Sequence, residues 1–183
     1  YFRTMAYEHK RIEEKWRKTA LDGGRGHIVV LSWCIDDGPV ESEWCEDWFG
    51  AEASILRGFF DRVSDRLRDK RSGGDSRRPV VVGHNHIGFD LRFVYQRCVV
   101  LGIQPPWWLP VNPRPWDSDV VFDTMVQWAG IRDYVRMDDV CSALGVGGKG
   151  SEFDGNEDID GSRVWDYVRD GKVGIVARYC AGD

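Results

Sequence analysis

The sequence predicts an α/β domain. Three observations carry this: an apolar, β-branched segment followed by a Gly-Pro turn and a second strand, a short buried strand that runs directly into a helix, and helical periodicity over most of the remainder. The chain has 183 residues, 42% of them hydrophobic and 30% charged, which suffices for one soluble domain, 1–183, with a substantial core. No apolar run approaches the ~18 residues of a membrane span, and no signal peptide is expected. Five cysteines (Cys34, Cys45, Cys98, Cys141, Cys180) without a CxxC pair argue for reduced thiols in a cytoplasm and against a zinc site or a disulfide frame. The net charge of −5 gives no global pull on nucleic acid, so any such binding has to be local. Because the chain opens on Tyr1 and stops at Asp183 directly after a helical stretch, it is expected to be truncated at both ends.

The elements follow in order. Tyr7–Thr19 alternates charges with Ile12 and Trp16 at helical spacing, and the Gly-rich run from Leu21 to Gly26 ends that helix. His27–Ile35 reads as a strand, Asp36-Asp37-Gly38-Pro39 as a turn, and Val40–Glu46 as the antiparallel partner strand. Ala51–Lys70 is amphipathic, with Ile55, Leu56, Phe59, Val63 and Leu67 on one face. A basic loop, Arg71–Arg78, precedes the strand Pro79–Val82 and the helix Phe89–Leu101. Pro105–Asp119 is a Pro/Trp-rich excursion without regular pattern. Asp138–Leu144 is a short helix stopped by Gly145, Gly147–Asp160 an acidic loop, and Ser162–Asp170 and Val173–Gly182 two further helices.

Chemistry concentrates in two places. Val80-Val81-Val82-Gly83-His84-Asn85-His86-Ile87-Gly88-Phe89-Asp90 takes a buried strand through a tight turn into a helix, so Asp90 stands at the strand's C-terminal edge, where open α/β sheets place ligands. Taken alone, an Asp there is a helix N-cap. The second place is Tyr179-Cys180-Ala181-Gly182-Asp183, where Tyr179 and Asp183 share one helical face; alone, that spacing is weak.

Together, the Gly-His-Asn-x-x-x-Phe-Asp string and the terminal Tyr-x-x-x-Asp resemble the second and third motifs of the tyrosine subgroup of DEDD 3′→5′ exonucleases. Within that subgroup the chain is similar to bacterial and phage exonucleases related to the proofreading domain of family-B DNA polymerases. Lys15–Asp22, His27–Trp33, Phe122-Asp123-Thr124-Met125 and Leu144-Gly145-Val146 fit as well, so the resemblance covers nearly the whole chain. It implies a ribonuclease-H-like mixed sheet flanked by helices, and a phosphodiesterase that removes nucleotides from the 3′ end of single-stranded DNA or of RNA. It implies two Mg²⁺ or Mn²⁺ ions, one activating water and one stabilising the leaving 3′-oxygen. Asp90 and Asp183 would be metal ligands and catalytic, with Tyr179 positioning the attacking water. Asn85, His84 and Phe89 would bind substrate.

The chain departs from the family at the first motif, a strand ending in Asp-x-Glu. Glu8, Glu13 and Glu14 lie in a charge-alternating helix and read as solvated, so two of four ligands and the sheet's first, central strand are missing. The expectation is that residues 1–183 alone are inactive and that an upstream Asp-x-Glu strand completes the enzyme. The competing reading is a non-catalytic nucleic-acid-binding or interaction domain with an eroded nuclease fold.

Several residues admit two readings. His84 and His86 either contact the terminal nucleotide or are ordinary turn residues. Arg92 and Arg97 bind phosphate or lie in a solvated or salt-bridged face. Trp107, Trp108 and Trp116 stack bases or pack a loop. The basic stretch Arg66–Arg78 tracks a nucleic-acid backbone or is a solvated helix end. Asp123, after a short apolar run, would brace the site from behind.

Overall fold

The computed structural model describes residues 8, 11–12, 14–15, 17–73, 78–148, 159 and 161–182. Strand β1 (Val30–Trp33) pairs antiparallel with β2 (Glu41–Trp44), in register Val30 with Trp44 and Trp33 with Glu41. Helix α1 (Trp48–Ser72) leads to β3 (Val81–Gly83), followed by α2 (Asp90–Leu101). Then come β4 (Val121–Asp123), α3 (Thr124–Ala129), α4 (Met137–Leu144), α5 (Val164–Arg169) and α6 (Val173–Ala181). The described residues within 8–19 are helical, in line with the charge pattern there. Most of the expected acidic loop, Gly147–Asp160, lies outside the described residues.

The α/β class is as expected, and so is the hairpin. The sheet is not one continuous layer: among the described residues β1 and β2 form one two-stranded sheet, and β3 pairs in parallel with β4 to form another. The β4–α3 unit went unread in the sequence. Three strand residues followed by a six-residue helix are too short to show either period, so Phe122-Asp123-Thr124 carries no signal beyond an apolar run.

What joins the two sheets is the helix layer. Ile55, Leu56, Phe60 and Val63 of α1 pack with Leu91, Val94 and Cys98 of α2, and with Ile28, Trp108, Leu109 and Val121. Leu56 and Val121 are fully buried, each contributing roughly 1.5–3 kcal/mol relative to exposure. Trp108 resolves as a core residue: its ring meets Phe59 and Phe60 edge-on, and its Nε1–H donates to Ser64 Oγ at 2.9 Å. Trp107 and Trp116 stay exposed. Burial also pushes the Cys98 thiol up to about 11, so it behaves as an apolar filler. No disulfide joins the five cysteines.

A buried ion pair completes this layer. Arg97 grips Glu52 with two parallel bonds, Nε to Oε1 at 2.7 Å and Nη2 to Oε2 at 2.6 Å. Glu52 Oε1 also accepts from the Ile28 amide at 2.8 Å, while Arg97 Nη1 donates to the Gly23 carbonyl at 3.1 Å. Arg97 therefore belongs to the salt-bridged reading, and it ties α1, α2 and the turn before β1 together. Gly23 and Gly26 allow this close approach: a Cβ at Gly23 would stand 2.9 Å from the Phe93 carbonyl, and one at Gly26 would meet the Phe93 ring at 2.6 Å.

Candidate functional site

Parallel pairing of β3 with β4 brings Gly83 opposite Asp123, so both strands end at the same edge. The chain leaves β3 through a turn at 84–89 and leaves β4 directly into α3. The Asp123 carboxylate serves both exits. Its Oδ1 accepts from the amides of Met125 (3.1 Å) and Val126 (3.4 Å), capping α3, and from the Asn85 amide at 2.8 Å; its Oδ2 accepts from the Ile87 amide at 3.1 Å. Asp123 is 1% exposed, and among the described residues no Lys or Arg pairs with it; backbone N–H dipoles and the N-terminus of α3 offset its charge. Two of these four amide bonds hold the turn, and the other two cap α3.

The two histidines of the turn face inward. His84 Nε2 donates to the Val135 carbonyl at 2.9 Å, and its Nδ1 lies 2.9 Å from Thr124 Oγ1, a hydroxyl that also reaches the Gly83 carbonyl at 3.3 Å and has one proton for the two. Direct contact of His84 with a substrate would require breaking one of these bonds. His86 is buried; its Nε2 donates to the Val81 carbonyl at 3.2 Å, and its Nδ1 lies 3.4 Å from Asp123 Oδ2. Burial lowers its pKa, the nearby Asp123 carboxylate opposing the shift without cancelling it. The ring's Nδ1 is buried without a hydrogen-bond partner among the described residues.

With both histidines tied inward, the turn presents Asn85, Phe89 and Asp90. Asn85 takes φ 58°, a left-handed conformation that Asn tolerates better than most residues. Its side chain lies over Gly88, where a Cβ would come within 2.8 Å of Asn85 Oδ1. Phe89 is half-buried and packs on Phe93, ring centroids 5.7 Å apart. Phe89, not Asp90, occupies the N-cap of α2, and its side chain makes no capping bond. Asp90 lies one position inside, exposed, in the first turn, where a carboxylate is favourable to the helix dipole. The capping role that an isolated Asp suggests is therefore not the one this Asp has.

Tyr179 is half-buried near the end of α6, a helix that packs on the β1–β2 hairpin and on α5. A Cβ at Gly161 would stand 3.9 Å from the Tyr179 hydroxyl, so the segment before α5 borders that group. Asp183 lies outside the described residues. Among the described residues no group of three or more His, Cys, Asp or Glu side chains is placed to hold a metal ion. Asp90 supplies one exposed carboxylate of the hard-oxygen kind that Mg²⁺ and Mn²⁺ take.

A family model described as a predicted 3′-5′ exonuclease related to the exonuclease domain of PolB matches residues 49–183. The chain belongs to this family. The matched span contains the Asn85–Asp90 turn, Asp123 and Tyr179. Membership in a family of predicted exonucleases makes the coarse class nuclease and the substrate nucleic acid. No curated protein and no solved structure matches the chain. No described helix is long and apolar enough to cross a membrane.

Proposed function

We propose that this protein is a metal-dependent 3′→5′ exonuclease that hydrolyses the terminal phosphodiester of single-stranded DNA, on a ribonuclease-H-like domain spanning 1–183. The observation that supports this most is the turn after β3. A buried carboxylate that accepts from the Asn85 and Ile87 amides holds a left-handed Asn in the turn that leads through Phe89 to the exposed Asp90 at the sheet's ligand edge.

In this reading Asn85 and Phe89 receive the 3′-terminal nucleotide, Phe89 offering a ring face to the base or sugar and Asn85 its amide. His84 contributes by holding the turn, since its ring is bonded to Thr124 and Val135. Asp90 and Asp183 are the carboxylates of this chain assigned to Mg²⁺ or Mn²⁺. Such ions supply charge stabilisation and a lowered water pKa when bound. Tyr179 positions the attacking water by orientation and hydrogen bonding.

The test is release of mononucleotides from a labelled single-stranded oligonucleotide by the protein that carries this chain, alongside calorimetric titration with Mn²⁺. Asp90→Ala should lower the rate by orders of magnitude and weaken Mn²⁺ binding, because it removes a ligand. Tyr179→Phe should keep Mn²⁺ binding and cost less in rate. Cleavage that survives Asp90→Ala, or that is indifferent to EDTA, would overturn the assignment.

A further inference from the structure

The molecule is acidic overall, yet one groove is lined mostly by cations. Lys15, Lys18, Thr19, Asp22 and Arg25 surround an open depression of about 430 Å³ between the end of the N-terminal helical segment and the turn that follows it. Three of the five lining residues are cationic and one is a carboxylate. That carboxylate is already engaged, Asp22 Oδ1 accepting from the Gly24 amide at 2.9 Å and Oδ2 lying 3.9 Å from Arg25 Nε. Lys15, Lys18 and Arg25 are all exposed, so their charges face solvent and are open to a ligand.

The groove is rigidly mounted, which distinguishes it from scattered surface lysines. On one side Arg17, in the same helical segment, donates to Asp166 Oδ1 at 2.9 Å and to the Ser162 carbonyl at 3.1 Å, fastening the segment to α5 and its approach. On the other side the turn carrying Arg25 is clamped to α2 by Arg97 on the Gly23 carbonyl and by Gly23 and Gly26 against Phe93. Within the turn the amides of Arg25 and Gly26 donate to the Asp22 carbonyl at 2.9 and 2.6 Å. The cations are thus held by the helix that begins at Asp90 and by the segment that leads to Tyr179.

We infer that Lys15, Lys18 and Arg25 form a subsite for the phosphodiester backbone of a single nucleic-acid strand. This rests on the exonuclease reading and deepens it: the reactive end is handled at Asp90, and the strand behind it is held by charge at a fixed separate place. An acidic protein has no overall attraction for a polyanion, so a local patch must supply it. Backbone phosphates suit the groove because they offer repeated charge without base identity, as a processive or sequence-indifferent enzyme requires.

The experiment measures binding of a fluorescein-labelled oligo(dT) by anisotropy, in EDTA, across a series of KCl concentrations, for the full chain. For three lost contacts the slope of log K against log salt should become shallower by about 2, from roughly 0.7 per single-strand contact. The Lys15→Gln/Lys18→Gln/Arg25→Gln variant should show that change, with affinity at the lowest salt at least about tenfold weaker. A charge-preserving variant, Lys15→Arg/Lys18→Arg/Arg25→Lys, should retain the wild-type slope. If the wild type binds and the neutral variant keeps its slope and affinity, the groove is not the subsite, while the exonuclease reading stands. If the wild type shows no binding at any salt, the subsite is overturned, while the exonuclease reading stands or falls on nucleotide release with Mn²⁺.

Discussion

Among the described residues two carboxylates are buried, Glu52 and Asp123, and they are held in opposite ways. Glu52 meets a guanidinium, with two short bonds from Arg97, and joins α1, α2 and the turn before β1. Asp123 meets no Lys or Arg among them; four backbone amides hold it beside a histidine whose pKa is lowered by burial. The difference follows from location. Glu52 bridges side chains on separate elements, so its partner must reach across and bring a countercharge. Asp123 sits where two strands end together, and chain ends expose unpaired amides in quantity. The first arrangement fastens the scaffold; the second sets the shape of the turn that leads to the exposed Asp90.

That contrast can be broken most severely at Arg97. Arg97→Leu leaves Glu52 buried without its countercharge and should destabilise the protein by about 3–5 kcal/mol, read as a lower urea midpoint. The double variant Glu52→Gln/Arg97→Leu should lose clearly less than Arg97→Leu alone. Equal losses would mean that the pair contributes nothing through its charges.

Asp123→Ala should cost less in stability, about 1–3 kcal/mol, because what it strands is amide groups and a helix cap rather than a buried ion. Its effect on nucleotide release should nevertheless exceed that of Arg97→Leu measured at a temperature where both variants are folded. The contrast drawn here fails if Asp123→Ala is folded and fully active.

Gly88→Ala sharpens the same point on a smaller scale. A methyl 2.8 Å from Asn85 Oδ1 must displace that side chain, yet Gly88 is exposed and its own backbone angle is not left-handed. Thermal stability should change by no more than about 1 kcal/mol, while the Michaelis constant for a single-stranded oligonucleotide rises and the turnover changes less.

The gentlest probe is pH. Above the unfolded value of 6.5 His86 is neutral in both states and adds no pH dependence. Below 6.5 the unfolded chain takes up the proton first, because the folded pKa is lowered, so stability falls as pH falls until the folded group titrates too. Urea unfolding between pH 7.5 and 5 should therefore show a steeper loss for the wild type than for His86→Gln. Parallel curves would show that His86 is not held neutral by its surroundings.

Much of this was legible in the chain. The hairpin could be read from alternation around Asp36-Asp37-Gly38-Pro39, α1 from the spacing of Ile55, Leu56, Phe59 and Val63, and the end of α4 from Gly145, which does take φ 68°. The Asn85–Asp90 string marked the site because strand, turn and helix fall within one short window, where local rules hold. Arg97 was harder, since an Arg on a helix looks the same whether it faces water or Glu52, forty-five positions away.

By itself, then, the sequence determined the α/β class, the order of the main elements and the turn that carries Asn85, Phe89 and Asp90, because each is set by neighbours within a few residues. Tertiary structure alone decided that β3 pairs with β4 in parallel, that Trp108 fills the core, and that the histidines of the turn face inward. It alone made Asp123 the support of that turn. These outcomes depend on which unpaired amides, carbonyls and cavities remain once distant segments meet, and no window along the chain contains both partners.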